Sequence, residues 1–104
     1  MKEITVKELK KLKDANADFQ LIDVREQHEV EICEIGGEHI PMGDVMDNLD
    51  KISKTKQVVF HCKGGTRSGA ICNALEKQGY TNVYNLKGGI IAWANEIDNT
   101  VTKY

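Results

Sequence analysis

Residues 60 to 68 read FHCKGGTRS: a hydrophobic run ends on Cys62, and the six residues after it supply two cations, two glycines and two hydroxyls. A thiolate, not a thiol, is the nucleophile, and nearby positive charge or a helix N-terminus lowers the thiol pKa from its usual value of about 8.5. Gly64 and Gly65 let the backbone take positive φ and turn its N–H groups inward, where most side chains would obstruct. If a strand stops at Cys62 and a helix starts after the loop, that helix adds further N–H donors and a dipole that favours negative charge. Lys63 and Arg67 add full positive charges, and Thr66 and Ser68 add hydroxyls for caps or for a bound anion. The stretch predicts a thiolate nucleophile seated in an anion cup, with a thiol pKa at or below neutrality.

A cysteine standing alone is often an inert, buried packing residue. That reading suits Cys72, more than two helical turns into the following helix, and Cys33 ahead of a Gly-Gly turn. At Cys62 the glycines, the cations and the strand-to-helix position argue together against it. His61 sits beside Cys62 on the strand, so it faces the other side of the sheet and reads as structural. Asp23 and Arg25 follow an earlier strand-like run and read as a paired, buried charge network, since a buried charge must be paired. His28 and His39 read as surface or turn residues and Trp93 as core. The three histidines and three cysteines fall into no zinc-ligand spacing.

The elements that must carry this loop alternate along the chain between strand-like and helix-like runs, the pattern of an α/β fold with a mostly parallel sheet. Thr5-Val6-Lys7-Glu8 is a capping box, with Ile4 and Leu9 as a hydrophobic staple, and it opens a helix running to about Lys13. Phe19 to Val24 reads as a strand and Glu26 to Cys33 as a short helix. A turn follows at Gly36-Gly37, then a brief strand at His39-Ile40. Val45, Met46, Leu49 and Ile52 share one helical face. Val58-Val59-Phe60 is a continuous apolar run, as in a strand covered on both sides. Ala70, Ile71, Ala74 and Leu75 line a helix that Gly79 ends, Val83 to Leu86 is the last strand, and Gly88-Gly89 opens a final helix through Trp93.

Four segments, in order, resemble the rhodanese-type sulfurtransferase family: CKGGTR (Cys62 to Arg67) its active-site loop, LIDVREQHE (Leu21 to Glu29) its Asp-Val-Arg-Glu segment, GGEHIP (Gly36 to Pro41) its Gly-His-Ile-Pro segment, and LKGGIIAW (Leu86 to Trp93) its Gly-Gly-x-x-Ala-Trp close. The resemblance implies a rhodanese-like α/β fold with a central, mostly parallel five-stranded sheet and helices on both faces. It implies sulfur transfer without a cofactor: Cys62 takes a sulfane sulfur from thiosulfate or from a protein persulfide, holds it as a persulfide, and passes it to a thiophilic acceptor. Gly64, Gly65 and Thr66 would be backbone donors to that anion, and Lys63 and Arg67 would attract an anionic donor. The family commonly has Arg directly after the cysteine. Lys63 keeps the charge but not the planar, bidentate recognition of an oxyanion. Residues 24 to 41 are similar to rhodanese domains fused to adenylyltransferases, which implies a sulfur-carrier or adenylyltransferase pathway protein as partner.

Two other functions use the same residues. A sulfur carrier or adaptor without turnover shares the Cys62 chemistry. Phosphatases and arsenate reductases of related fold use Cys-x5-Arg, one residue longer than the spacing from Cys62 to Arg67, and the shorter loop suits a sulfur atom better than a tetrahedral phosphate.

Composition bounds the rest. A chain of 104 residues, 40% hydrophobic and 29% charged, predicts one soluble domain over residues 1–104. A net charge of −2 excludes a basic footprint for nucleic acid or an anionic membrane. MKEITVKELKK lacks the apolar core of a secretory signal, no stretch reaches transmembrane length, and three sparse cysteines argue for a reducing compartment. The expected location is cytoplasmic.

Overall fold

In a computed structural model describing residues 1–104, five strands form one sheet: β1 (Glu3–Ile4), β2 (Phe19–Asp23), β3 (Glu38–His39), β4 (Gln57–His61) and β5 (Val83–Leu86). The order is β1-β5-β4-β2-β3, and every pairing is parallel. The sheet is therefore wholly parallel rather than mostly so. β4 lies at its centre, where parallel strands are buried on both faces and read as unbroken apolar runs. Val58, Val59 and Phe60 are all fully buried.

Side chains alternate across the sheet, and each face has its own core. Ile22, Val58, Phe60 and Cys62 pack with Ile71, Cys72 and Leu75 of α3 (Thr66–Lys77). Leu21, Val59 and Leu86 pack on the other face with Val6 and Leu9 of α1 (Val6–Asp14) and with Ile90 and Trp93 of α4 (Gly89–Glu96). Helices thus cover both faces. Each fully buried aliphatic or aromatic side chain contributes about 1.5–3 kcal/mol, so the apolar positions of β4 do much to hold the sheet on which Cys62 is mounted.

Local chemistry sets the ends of the elements. The Thr5–Glu8 capping box is present: the Glu8 amide donates to Thr5 Oγ1 at 3.2 Å, and the Thr5 amide donates to Glu8 Oε1 at 3.0 Å. Ile4 and Leu9 are buried in the same cluster, as a staple requires. The second helix, α2, covers Gln27–Ile32. Gly79, at φ +96°, follows the cap of α3.

Three details differ from the sequence reading. β1 has no strand signal of its own; it forms because Glu3 and Ile4 pair with Asn85 and Leu86 at the sheet edge. Residues 45 to 52 form no regular helix. They lie in 3-10 turns, Met42–Asp44 and Met46–Lys51, broken at Asn48 (φ −129°, ψ 32°), whose side chain donates to the Asp44 carbonyl at 2.7 Å. Such side-chain bonds compete with helix geometry, and Met46 is left exposed. In α3 the buried stripe is Ser68, Ile71, Cys72 and Leu75, while Ala70 is exposed. The stripe is rotated toward the loop because Ser68 turns inward. No helix is long and apolar enough to cross a membrane.

Candidate active site

Cys62 follows the carboxyl end of β4, and Lys63, Gly64 and Gly65 lead directly into α3. In open α/β sheets this is where ligands bind. The loop is held from behind by α4, whose first amides, Ile90 N and Ile91 N, donate to the carbonyls of Cys62 (3.0 Å) and Lys63 (3.2 Å). A Cβ on Gly89 would lie 2.4 Å from the Lys63 carbonyl oxygen, so only glycine permits this approach. With those carbonyls taken up by α4, the loop's amides are free to turn toward the sulfur.

They do so. The Gly65 amide donates to Cys62 Sγ at 3.1 Å, with Gly65 at φ +108°. Gly64 does not take positive φ, so of the two glycines Gly65 alone carries the left-handed turn. Ser68 Oγ lies 3.3 Å from the sulfur, 2.5 Å from Asn85 Oδ1 and 3.4 Å from the Gly65 carbonyl. Asn85 Nδ2 in turn donates to the Gly65 carbonyl at 3.0 Å. Thr66 opens α3 with its side chain exposed. Cys62 itself is only 1% exposed, a recessed sulfur with the apolar core on one side and hydrogen-bond donors on the other.

Burial pushes the Cys62 thiol up. The Ser68 hydroxyl and the amides of Ser68, Gly65 and Arg67 outweigh that effect and hold it below its usual value. Hydrogen bonds lead the lowering, and the two loop cations are engaged elsewhere. Arg67 makes a bidentate pair with Glu29, Nη1 to Oε2 at 2.7 Å and Nη2 to Oε1 at 2.9 Å. Lys63 Nζ sits 4.5 Å from the centre of the Tyr104 ring.

Behind the loop lies a buried polar network. Arg25, fully buried, donates to Asp23 through Nε (3.0 Å) and Nη2 (2.7 Å), to the Cys33 carbonyl at 2.7 Å and to Tyr104 Oη at 3.1 Å. Tyr104 Oη donates to Glu29 Oε1 at 2.9 Å, and the Glu26 amide donates to Glu29 Oε2 at 2.8 Å. Asp23 and Arg25 are therefore a paired buried charge, as their sequence position suggests. His61 projects from the face opposite Cys62, 3.8 Å from Asp23 Oδ2, with neither ring nitrogen hydrogen-bonded. Burial drives its pKa down to about 4, so at neutral pH it is uncharged and this approach is no ion pair. His39 is tied to the Arg25 carbonyl at 2.6 Å, and His28 is exposed. Cys72 is fully buried and its thiol is pushed up to about 12, mainly by burial; Cys33 is half-buried, 3.7 Å from Arg25 Nη1.

Three residues of this site carry little signal in the sequence. Asn85 is an amide in a buried strand, a position that disfavours it, and that mismatch is its only mark. Glu29 stands three residues after Glu26 at a helix start, which reads as local capping and says nothing of Arg67. Tyr104 lies outside every motif.

A parallel α/β sheet carrying a cysteine loop at the carboxyl end of its central strand, ringed by amides and closed by α4, defines a rhodanese-like domain. The chain belongs to that family: the rhodanese-like domain model matches residues 5–96. It is 40% identical over 97 residues to the protein YtwF of Bacillus subtilis (strain 168), covering 92% of this chain and 93% of YtwF. It is 40% identical over 78 residues to a sulfurtransferase of Allochromatium vinosum, covering 74% of this chain and 73% of that one. It is 29% identical over 103 residues to the Zea mays adenylyltransferase and sulfurtransferase MOCS3-1, covering 91% of this chain but 22% of that protein. The crystal structure of a rhodanese-like domain protein from Staphylococcus aureus superposes with a TM-score of 0.84 at 32% identity, over 100% of this chain and 99% of that one.

Proposed function

We propose that this protein is a sulfurtransferase that works through a persulfide on Cys62. The observation that carries the reading is the ring of donors on one sulfur atom: the Gly65 amide at 3.1 Å and the Ser68 hydroxyl at 3.3 Å. Donors placed around a sulfur favour its anionic form, whether thiolate or persulfide. The Cys62 thiolate attacks the sulfane sulfur of a donor. A Cys62–sulfur bond forms and the donor's own bond to that sulfur breaks, its electron pair leaving with sulfite (from thiosulfate) or with a thiolate (from a persulfide). A nucleophilic acceptor then takes the outer sulfur and returns Cys62 to thiolate. The two half-reactions predict ping-pong kinetics.

Lys63, Gly64, Thr66 and Arg67 form the rim around this sulfur in the proposal, with Gly65 and Ser68 as direct donors. The likeness to MOCS3-1 supports a place beside sulfur-carrier or adenylyltransferase proteins, and the reaction is assigned to the cytoplasm.

Intact mass after donor treatment tests the reading. Wild type is expected to gain one sulfur atom and to lose it to cyanide or a thiol, whereas Cys62→Ser gains none. A wild-type protein that never gains sulfur from thiosulfate, from a small persulfide or from a protein persulfide would overturn it. Fast transfer from a protein persulfide beside very weak thiosulfate turnover would instead mark a carrier. Cys62-dependent hydrolysis of an aryl phosphate would point to the phosphatase reading.

A further inference from the structure

The two cations of the loop, both half-buried, have partners on the protein itself. Arg67 faces a carboxylate that matches its fork, and Lys63 lies against an aromatic face. Both arrangements converge on Tyr104. Its hydroxyl donates to Glu29 Oε1 at 2.9 Å and accepts from Arg25 Nη1 at 3.1 Å, so Glu29 Oε1 is shared between Tyr104 and Arg67. The same tyrosine's ring carries the Lys63 ammonium at 4.5 Å, with the Arg25 guanidinium 5.8 Å from its centre. Tyr104 reaches this place because Ile97, Val101 and Tyr104 pack back onto the α1–α4 core. It bridges residues 75 and 79 positions away in the sequence.

A small dianion such as thiosulfate binds through compensating positive charge. At this rim it would have to draw Arg67 from Glu29 or Lys63 from the ring, and a cation on an aromatic face is held by the ring quadrupole. A persulfide carries one negative charge on its terminal sulfur, one fewer than thiosulfate, and so asks less of the rim cations. We infer that Tyr104 is a specificity-determining positioning residue: its ring engages Lys63 while Arg67 is paired with Glu29, and this selects a persulfide donor over dianionic thiosulfate. This rests on the sulfur-transfer reading above and names the donor class for it.

Steady-state kinetics of wild type, Tyr104→Phe and Tyr104→Leu, with thiosulfate and with cysteine persulfide as donors, test the inference. Leucine keeps an apolar side chain against the core but removes the ring face and the hydroxyl; phenylalanine keeps the ring. Freeing Lys63 from a cation–π contact is expected to lower the thiosulfate KM of Tyr104→Leu about threefold, with kcat little changed. The gain should shrink as salt rises, because screening weakens attraction between exposed charges. Tyr104→Phe is expected to keep the wild-type thiosulfate KM, and the cysteine persulfide KM is expected to stay constant in all three proteins. Adding Lys63→Met to Tyr104→Leu should abolish the gain, a coupling that a merely structural tyrosine would not show. An unchanged or raised thiosulfate KM in Tyr104→Leu, or an equal fall for both donors, overturns the inference and leaves sulfur transfer standing. A wild type that accepts sulfur from neither donor overturns sulfur transfer itself.

Discussion

The Ser68 hydroxyl faces the Cys62 sulfur at 3.3 Å, the Asn85 side-chain oxygen at 2.5 Å and, more distantly, the Gly65 carbonyl at 3.4 Å, and it has one proton to give. While Cys62 is a thiol, the proton serves Asn85 and the S–H can point to Ser68 Oγ. Once the sulfur is an anion, rotation of one hydroxyl supplies it with a charge-assisted bond. Asn85 is held in place meanwhile by its own bond to the Gly65 carbonyl.

Ser68→Ala removes that donor and leaves the amides. A hydrogen bond to a charged group is worth about 1.5–3 kcal/mol, so alkylation of Cys62 by iodoacetamide at neutral pH should slow about tenfold. The pH at which half-maximal alkylation is reached should rise in step. An alkylation profile that matches wild type would mean that the Gly65, Arg67 and Ser68 amides hold the charge by themselves.

Cys62 and its loop are legible as a candidate site because their chemistry is local. Cations, glycines and a strand end lie within a few residues of Cys62, and capping and apolar periodicity mark α1, β4 and β5 in the same way. What the sequence does not display are partners brought together by topology. Arg67 reads as a free cation until α2 brings Glu29 to it from 38 residues away, and Lys63 reads as free until Tyr104 folds back. Hence the amides and hydroxyl around the sulfur are foreseeable from the loop, whereas the pairing of its two cations with Glu29 and Tyr104 is not. β1 illustrates the same limit, since two residues carry no periodicity and become a strand only through β5.

The Glu29–Arg67 pair should stabilise the fold above the acid range. Arg67 leads in holding the Glu29 carboxyl at about 2, against an ordinary value of about 4.5. A depressed carboxylate contributes stability that is present above its unfolded pKa and lost as pH falls toward its folded one. Urea unfolding should therefore show a loss of up to about 3 kcal/mol as pH drops from about 4.5 to 2. Glu29→Gln should cost about 1–2 kcal/mol at neutral pH, less than for a fully buried pair because Arg67 is partly exposed, and should flatten the profile in that acid window. A full-strength acid slope in Glu29→Gln would assign the effect to other carboxylates.

His61 acts in a separate window with the same sign. Burial lowers its pKa to about 4 from about 6.5, so the unfolded chain takes up a proton that the folded one refuses. Stability is then complete above about pH 6.5 and falls as pH drops from there toward 4, by about 2 kcal/mol between pH 7 and 5. Leucine at this position has nothing to protonate and leaves no unpartnered ring nitrogens. His61→Leu is expected to be near neutral in stability at pH 7 and to lose the slope between pH 7 and 5 in urea midpoints. Equal slopes in both proteins would place that sensitivity elsewhere.

Two glycines of the site make opposite demands, and the contrast tests how the loop is held. A Cβ at Gly64 meets nothing within 4 Å and the residue has no positive φ, whereas a Cβ at Gly89 (φ +60°) would strike the Lys63 carbonyl oxygen at 2.4 Å and the Cys62 carbonyl oxygen at 2.7 Å. Those carbonyls accept the α4 amides that keep the loop in place, and backbone cannot yield as a flexible side chain can. Gly64→Ala should stay within about 0.5 kcal/mol of wild type in urea unfolding and keep the alkylation rate of Cys62. Gly89→Ala should lose about 2–4 kcal/mol through strain and the displaced helix start, and its Cys62 should alkylate with the pH midpoint of an ordinary thiol. A Gly89→Ala protein with wild-type stability and a wild-type midpoint would show that the loop holds its shape without α4, and that the amides around the sulfur are set by Gly65 and Ser68 alone.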